Sequence, residues 1–581
     1  MILQALYDYY QRKQRDPDPA RRLPPDGFED KEIPFIIELD ADGSLLGLKD
    51  TRQLEGKKKV AARFLVPQGV KRASGVAANL LWDTAEYVVG IDTKGKPERI
   101  GQQRAAFRER IEALPVQGDP AIHAVLAFLS RDPVAELATQ PAWPEVLETN
   151  PLMSFRVAPD TDLVCQRPGV LDGVGDDTDP SDTSDVCLIT GHTGKTERLH
   201  SAIKGVWGAQ TAGANIVSFN LDAFRSFGKA QGANAPVSPA AAFAYTTALN
   251  HLLAKGSKQR MQVGDASTVF WAEKTDAVED IFAAVFGEGD DPDARTGEVR
   301  ALYEAVHSGK FDGARGETRF FVLGLAPNAA RIAIRFWHAA PLSEIARRIT
   351  TWFDDLAIVR GPNDPEFPSL FRLLTAIAVQ RKADNIPPRL GGDIMRAILE
   401  GLPFPPTWLN AAVQRCRAEQ QVNALRAAAI KACLNRQIRQ TATQTPTSEK
   451  EYLPMLDPSN LNAAYRLGRL FAVLERIQEA ASPGLNATIR DRYYGAASST
   501  PVSVFTTLLR LKNAHLKKLP TGRVVNFEKA IGEITDGLSD FPKHLALPDQ
   551  GRFALGYYHQ RQAFFTKSTP AESTETLEET L

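Results

Sequence analysis

Two apolar segments meet at a short turn in Arg319-Phe-Phe-Val-Leu-Gly-Leu-Ala-Pro-Asn-Ala-Ala-Arg-Ile-Ala-Ile-Arg-Phe-Trp337. In the second segment, Ile332, Ile334 and Phe336 alternate with Arg331, Ala333 and Arg335. This two-residue period is typical of a β-strand with one buried face and one basic face. The turn residues Pro327-Asn328 join the segments, so the sequence predicts a strand pair here.

Upstream of this pair, the sequence predicts a mixture of strands and helices. Ile33–Leu39 and Leu45–Leu48 flank Asp42-Gly43, which is a strong hairpin signal because both turn positions favour positive φ. Other predicted strands lie at 60–66, 87–92 and 269–272, and predicted helices at 2–14, 101–139 and 239–253, the middle range being two or three helices. Residues 152–220 are irregular and rich in strand-forming residues.

Downstream of residue 342, the apolar spacing becomes helical. Predicted helices occupy Ser343–Leu356, Ser369–Val379, Ile394–Glu400 and Trp408–Arg439, and the polar segment Thr441–Ser448 then predicts a linker. Beyond the linker, a four-helix unit is predicted from Ala463–Ala481, Val502–Leu519, Phe527–Leu538 and Gly551–Phe565. The tail from Ala571 is acidic and predicted to be disordered.

Together these patterns predict an α+β fold, with a mixed α/β N-terminal region of irregular β-rich loops and an all-helical C-terminal region. A chain of 581 residues is long enough for two to four domains at roughly 150 residues each. The predicted boundaries are an α+β region at 1–341, a helical connector at 342–440, a linker at 441–454, a helical bundle at 455–570 and a tail at 571–581.

The composition indicates a soluble protein of the cytoplasm. Hydrophobic residues make up 43% and charged residues 24% of the chain, with a net charge of −1. The four cysteines form no C-x-x-C pair, which fits a reducing compartment, and we expect neither a signal peptide nor a membrane span. Since the whole chain has no basic bias, any nucleic-acid surface must come from local clusters of charge.

A basic run without any acidic residue lies between Gly56 and Trp82. Clustered cations bind phosphates because each neutralised phosphate releases counterions. The alternative is a solvated strand edge that lysines protect from aggregation. The candidate DNA-binding residues in and beside the run are Lys57, Lys58, Lys59, Lys71, Arg72 and Asn79.

A second candidate region is rich in glycine and in amide side chains, and it covers Lys204–Asn220 and Lys229–Pro236. Glycines allow a backbone to approach a ligand closely, and Asn and Gln can pair with base edges. The alternative is a glycine-rich loop that Asn side chains cap. The candidate residues are Lys204, Gln210, Asn215, Asn220, Lys229, Gln231 and Asn234.

Other chemistries are disfavoured. Gly191-His-Thr-Gly-Lys-Thr196 resembles a phosphate-binding loop, but Ile189 stands where the first glycine is required. Asp176–Asp182 lacks the ligand spacing of a calcium loop, and Cys165, Cys187, His192 and His200 are irregularly spaced for zinc. We therefore expect no catalytic residue, no metal and no cofactor.

Several blocks of the chain resemble one family, the large subunit of subtype I-C CRISPR surveillance complexes. They are Met1–Tyr10, Val66–Gly75 followed by Asn79, Cys187–Gly191, Ile203–Gly205, Gly208–Gln210, Val217–Asn220, Gly232–Pro236, Leu323–Arg331 with Arg335–Trp337, and Ala464–Phe471. The blocks span residues 1 to about 500.

The resemblance implies a non-catalytic role in a guide-RNA assembly. Such a subunit is expected to bind target double-stranded DNA, recognise a protospacer-adjacent motif, assist strand separation and hold the displaced strand. Its implied partners are the guide RNA with backbone and guide-end-capping subunits, a small subunit, and a helicase-nuclease. The alternatives are a nucleotide-binding enzyme and a scaffold that binds only proteins.

Met455 stands between the predicted linker and the predicted four-helix unit. From Met455 to Lys567 there are 15 Lys plus Arg against 9 Asp plus Glu, a net charge of +6 that suits a surface along single-stranded DNA. In the family that the chain resembles, the small subunit looks like the C-terminal part of the large one. We therefore predict that Met455 is an internal start for a separate small subunit.

Overall fold

A computed structural model describes residues 1–56, 58–70, 75–93, 95–115, 118–172, 184–276, 278–286, 296–307, 316–444 and 449–565. The chain forms two compact units. The first unit comprises Met1–Ser201 and Val217–Leu249, and the second comprises Ala202–Ile216 and Asn250–Leu581. The predicted α+β class is confirmed, with sheets in the N-terminal part and helices in the C-terminal part.

Short strands and helices alternate in the first unit. Its strands are β1 (Phe28–Glu32), β2 (Phe35–Leu39), β3 (Leu45–Asp50), β4 (Gln53–Glu55), β5 (Lys58–Val60), β6 (Arg63–Pro67), β7 (Trp82–Thr84), β8 (Leu152–Val157), β9 (Ser184–Val186) and β10 (Thr193–Lys195). Its helices are α1 (Ile2–Gln14), α2 (Ala85–Val88), α3 (Pro97–Glu112), α4 (Pro120–Ser130), α5 (Pro133–Leu137), α6 (Trp143–Thr149), α7 (Pro168–Asp172) and most of α8 (Pro239–Leu252).

The core of the first unit packs around a four-stranded sheet of order β3-β2-β8-β7. Strands β2 and β8 are parallel and buried, with Phe35, Ile37 and Phe155 fully inaccessible. The predicted hairpin is confirmed, because β2 and β3 pair antiparallel around Gly43, whose φ is 82°. The predicted strand at 87–92 is wrong, since Tyr87 and Val88 lie in α2.

The second unit contains one sheet followed by helices. The sheet has the order β11-β12-β13-β14, antiparallel throughout. Its strands are β11 (Arg260–Val263), β12 (Ala266–Ala272), β13 (Arg319–Asn328) and β14 (Arg331–Pro341). Its helices are α9 (Val278–Phe286), α10 (Thr296–His307), α11 (Leu342–Leu356), α12 (Leu370–Ile377), α13 (Leu390–Glu400), α14 (Pro406–Glu419), α15 (Ala424–Gln444), α16 (Ala463–Ala481), α17 (Ile489–Ala497), α18 (Val502–Leu516), α19 (Thr521–Thr535) and α20 (Leu547–Ala563).

The predicted strand pair at 319–337 is confirmed as β13 and β14, but one detail of its faces is wrong. Ile334 was expected to be buried and is 44% exposed. The ladder shifts register between Gly324 and Leu325, so that Gly324 pairs with Phe336 while Leu325 pairs with Ile334. Such a bulge adds a residue to one strand and breaks the simple alternation of faces.

The helical C-terminal part differs from its prediction in three places. The run Trp408–Arg439 is two helices, because Gln420 adopts a left-handed conformation with φ 46° at the end of α14. Helix α15 continues through Gln444, into the segment predicted as a linker. The unit predicted to have four helices has a fifth, α17, among its described residues. No helix in the described part of the chain is long and apolar enough to cross a membrane.

Candidate nucleic-acid interface

The basic run is described only in part. Lys57, Lys71 and Arg72 lie outside the described residues. The backbone of Lys58 belongs to β5, and Lys59 follows it with an exposed side chain. Strand β5 pairs only with β4 among the described strands, so these lysines lie on a two-stranded ribbon.

Carboxylates from outside the ribbon, Asp50 of β3 and Glu145 of α6, lie close enough to feel the charge of Lys59. Arg52 bonds Asp50 at 2.7 Å and also pairs with Glu145. Hydrogen bonds from Arg52, with a smaller contribution from the charge of Lys59, lower the pKa of Asp50. The charge of Lys59 is therefore partly offset by carboxylates, which weakens its attraction for phosphate.

Asn79 is buried rather than presented to solvent, with 6% of its surface exposed. Its Oδ1 accepts a hydrogen bond from the backbone N–H of Val70 at 3.0 Å, and its own N–H donates to Asp83 Oδ2 at 2.8 Å. In this arrangement Asn79 holds the loop that follows β6 as far as Val70.

In the second unit, residues 203–214 form a closed loop, which we call the tryptophan loop. A backbone bridge between Ile203 and Ala214 closes it. The backbone N–H of Trp207 donates to Ser267 Oγ on β12 at 2.9 Å, while the residue is 64% exposed. Gly213 has a φ of 93°, and a Cβ there would lie 3.0 Å from the Ala202 Cβ, so the tight loop requires glycine.

The tryptophan loop presents three kinds of group to solvent. Lys204, Trp207 and Gln210 are all exposed on it. Neither the Lys204 ammonium nor the Gln210 amide bonds another described side chain, whereas the Lys204 N–H donates to Asn250 Oδ1 at 2.7 Å. A cation, an amide and an aromatic ring on one rigid loop are the groups that bind phosphate, base edge and base face.

Asn215 follows this loop and joins it to the sheet. The Ile332 N–H donates to the Asn215 carbonyl at 3.0 Å, and the Asn215 N–H donates to the Ala330 carbonyl at 3.4 Å. Its side chain is half-buried. Asn215 thus fixes the tryptophan loop next to the β13–β14 turn.

In the first unit, Ser226-Phe-Gly-Lys229 form a two-residue turn, which we call the phenylalanine turn. The Lys229 N–H donates to the Ser226 carbonyl at 2.9 Å. Phe227 and Gly228 both have positive φ, 49° and 70°, as type I′ turns require. The Phe227 ring is 100% exposed.

Neighbouring residues with amide side chains, predicted from the sequence to bind DNA, hold this turn in place. Asn234 Oδ1 accepts from the Ser226 N–H at 2.9 Å, and Asn234 Nδ2 donates to the Lys229 carbonyl at 3.1 Å and the Gln231 carbonyl at 2.9 Å. Gln231 Oε1 accepts from Arg198 at 2.7 Å. Lys229 pairs with Asp185 at 3.0 Å, and its hydrogen bond lowers the pKa of that carboxyl. Asn220 is exposed on the segment leading to the turn.

A third surface lies on the outer side of α18, and we call it the α18 face. Its inner side buries Val504, Phe505, Leu508 and Leu516. The α18 face is free of acidic residues and consists of Ser503, Thr506, Thr507, Arg510, Asn513, Ala514 and Lys517, all exposed. Among the described residues, no carboxylate forms an ion pair with Arg510 or Lys517, so their charges are available to phosphates.

Comparison with known protein families settles the family. The profile described as CRISPR-associated protein (Cas_Csd1) matches residues 6–565. This chain belongs to the Cas_Csd1 family. Membership makes it the large subunit of a type I-C Cascade complex, as the resemblance implied. A search of curated proteins finds no match.

The other chemistries considered from sequence have little support in this Cas_Csd1 protein. Gly194 lies in β10 opposite Asp185, whereas a phosphate-binding loop leads into a helix. The described residues hold no group of three or more His, Cys, Asp or Glu side chains placed to bind a metal ion, and Asp176–Asp182 lies outside them. The ring of His200 bonds the Tyr245 hydroxyl at 2.6 Å.

Cys187 has an unusual environment for a buried thiol. Burial opposes its ionisation, but hydrogen bonds from Thr190 and Ser238 outweigh burial and lower the pKa to about 7. The Sγ accepts from the Ser238 N–H at 3.3 Å and the Thr190 N–H at 3.5 Å. This cysteine therefore ties the Cys187–Gly191 block to the start of α8.

Sequence reasoning missed Trp207, Phe227 and the α18 face. Both aromatic residues stand inside Gly-rich polar segments. Such segments offer few apolar neighbours to cover a ring, so this position was the available signal that Trp207 and Phe227 would be exposed. On α18, the residues at helical spacing on the polar side include two cations and no acid. The net charge of the C-terminal part predicts a surface for single-stranded DNA but does not say which helix would carry it.

Proposed function

We propose that this Cas_Csd1 subunit recognises the short motif that borders a target in duplex DNA, assists strand separation, stabilises the resulting R-loop and supports recruitment of a helicase-nuclease. The observation that carries the proposal is the tryptophan loop, on which Lys204, Trp207 and Gln210 are exposed together on a backbone that glycines and Ser267 fix. Each exposed group fits a different part of a nucleotide.

A protein in a guide-RNA assembly needs to read only a few base pairs. The guide reads the long sequence by base pairing, so specificity from protein is required only beside the target. A single amide such as that of Gln210 can read an adenine through two hydrogen bonds, which are worth about 1–3 kcal/mol against a wrong base. Phosphate contacts from Lys204, Lys71 and Arg72 then add affinity without sequence preference.

The α18 face supports the proposal that the C-terminal helices hold the displaced strand. Single-stranded nucleic acid is bound by cations that follow its backbone, with a strong dependence on salt. Arg510 and Lys517 lie two helical turns apart, with the exposed residues Asn513 and Ala514 between them. We propose no catalytic step for this chain, since target cleavage belongs to the separate helicase-nuclease.

The test is a binding assay of the assembled guide-RNA complex on duplex targets that carry every trinucleotide flank. Gln210→Ala should reduce affinity for the preferred flank by about 1–3 kcal/mol and leave other flanks nearly unchanged. Replacing Lys71 and Arg72 with Glu should weaken binding to all flanks alike and reduce its salt dependence. Thr211→Ala, on the exposed part of the same loop, is the matched control.

Two results would contradict the proposal. An unchanged flank profile after Ala substitution of both Gln210 and Asn215 would remove the tryptophan loop and its neighbour Asn215 from motif reading. Unchanged DNA affinity after the Lys71 and Arg72 replacements would favour a scaffold that leaves DNA to its partners.

A further inference from the structure

The phenylalanine turn presents an aromatic ring that no contact within the described ranges of the chain covers. Phe227 is 100% exposed, and an exposed aromatic residue is unfavourable in water unless a partner covers it. Its φ of 49° is also rare for a bulky residue and costs on the order of 1–2 kcal/mol. Asn-Gly is the preferred pair for this turn type. Phe in place of Asn is therefore unfavourable both for the backbone conformation and for exposure to water.

The turn is rigid. Its ends are joined by the Lys229–Ser226 backbone hydrogen bond, and Asn234 bonds three backbone groups on both sides of it. The segment that carries Asn234 is itself pinned, because the Gly232 N–H donates to the Arg198 carbonyl at 3.2 Å, and a Cβ on Gly232 would lie 3.0 Å from the same oxygen. A ring held this way loses little conformational entropy when it meets a partner.

The neighbouring charges favour a nucleic acid as that partner. Arg225 and Lys229 flank Phe227 in the sequence. Arg225 forms an exposed ion pair with Asp222, and Lys229 forms one with Asp185. Exposed pairs of this kind contribute roughly 0–1 kcal/mol, so both cations can exchange a carboxylate for a phosphate. An apolar side chain between two cations matches the wedge that DNA-bending proteins insert between base steps.

We infer that Phe227 stacks on a base at the point where the target duplex begins to open, and that Asn234 is the positioning residue that holds the turn. This inference rests on the proposed function and names the element that separates the strands. It also reassigns Asn234, because an amide engaged with three backbone groups is not available to read a base.

The experiment uses the assembled complex and a target duplex with 2-aminopurine at the first base pair beside the motif, which fluoresces when unstacked. A second duplex carries mismatches at the first few pairs, so that it is already open. Phe227→Asn removes the ring and introduces the preferred Asn-Gly turn, so the variant should fold at least as stably as the wild type. Leu221→Ala, which removes another exposed apolar side chain nearby, is the control.

Loss of base stacking should reduce opening of the paired duplex by roughly tenfold to hundredfold in Phe227→Asn, and leave the mismatched duplex unaffected. Phe227→Trp should restore opening. Asn234→Ala should show the same selective defect, and the double variant should be no worse than Phe227→Asn alone, with the flank profile unchanged.

Wild-type opening by Phe227→Asn, or an equal defect on paired and mismatched DNA, would overturn the inference. A complex that fails to assemble with Phe227→Asn would show that a protein pocket holds the ring, and would also overturn it. Failure of the proposed function itself is a separate result, since it would appear as unchanged binding in the Gln210 and Lys71/Arg72 variants.

Discussion

Substituting Gly556 with alanine should loosen the helix pair that closes the C-terminal bundle. Helices α16 and α20 are the first and last of the bundle, and they pack through Gly468 and Gly556. An alanine Cβ at position 556 would lie 2.9 Å from the Tyr465 carbonyl carbon and 3.1 Å from its Cα, and closer still to the carbonyl oxygen. The clash is with backbone, so no rotamer change relieves it.

The expected magnitude follows from these distances. Carbon atoms pack at about 3.5–4.0 Å, so the contact with the carbonyl carbon alone requires the helices to separate by at least roughly 0.6–1 Å. Overpacking of this kind costs about 1–3 kcal/mol, and the upper end applies to a clash between two backbones. Alanine regains about 1 kcal/mol of helix propensity, which leaves a net loss of about 2 kcal/mol.

Gly532→Ala is the matched control, because Gly532 lies in α19 and a Cβ there would meet nothing within 4 Å. The control should gain about 1 kcal/mol, so that the two Gly→Ala changes differ in sign. Native-state hydrogen exchange of the α16 and α20 amides measures the effect, with an increase of roughly 30-fold in exchange rate for Gly556→Ala. Equal protection in the two variants would refute the packing argument.

Three further predictions concern the same bundle. Met455 is 61% exposed and precedes α16, and Met455→Leu with silent recoding of the upstream bases should remove a separate fragment of about 14 kDa (127 of 581 residues in 63.6 kDa). The variant complex should assemble poorly and retain DNA weakly, and adding the 455–581 fragment should restore both. A wild type without the 14 kDa band would contradict the internal start. Burial, with the nearby Lys431 charge, lowers the pKa of His559 to about 3, so between pH 6.5 and 3 the unfolded chain binds a proton that the folded chain does not. This group should therefore lower the free energy of unfolding by about 1.4 kcal/mol for each pH unit as the pH falls from 6.5 to 3. Urea titrations at several pH values should show that this contribution is missing in His559→Gln. Changing Arg510 and Lys517 to Gln should reduce the slope of log affinity against log salt for the displaced strand by about 1.4. The control Lys543→Gln, at an exposed site off this face, should not alter retention of the displaced strand. Equal effects of the two changes would rule out the α18 face.

Regular elements with strong local signals could be predicted from the sequence. Helix α16 has the predicted bounds, because its apolar spacing is continuous and Asn462 caps its first turn. The β13–β14 pair was likewise readable from its alternation. The bulge was not, since a register shift depends on packing across the sheet rather than on either strand alone.

The candidate site was harder to predict because an Asn or Gln side chain can be used in either of two ways, to bond the backbone of its own loop or to bind a ligand. The amides of Asn79 and Asn234 bond backbone groups of their own loops, and a base edge offers the same donors and acceptors. Composition cannot distinguish these uses. Exposure of Trp207 and Phe227 was also hidden, because it results from how the loops are anchored to β12 and to residues 197–198.

The most direct test of the account is to place the photoreactive analogue benzoylphenylalanine at position 227 in the assembled complex and to map its crosslinks on a target duplex. If Phe227 stacks where the duplex opens, crosslinks to DNA should form at the junction between the adjacent motif and the first target base pair. Crosslinks confined to protein subunits, or to DNA far from that junction, would contradict it.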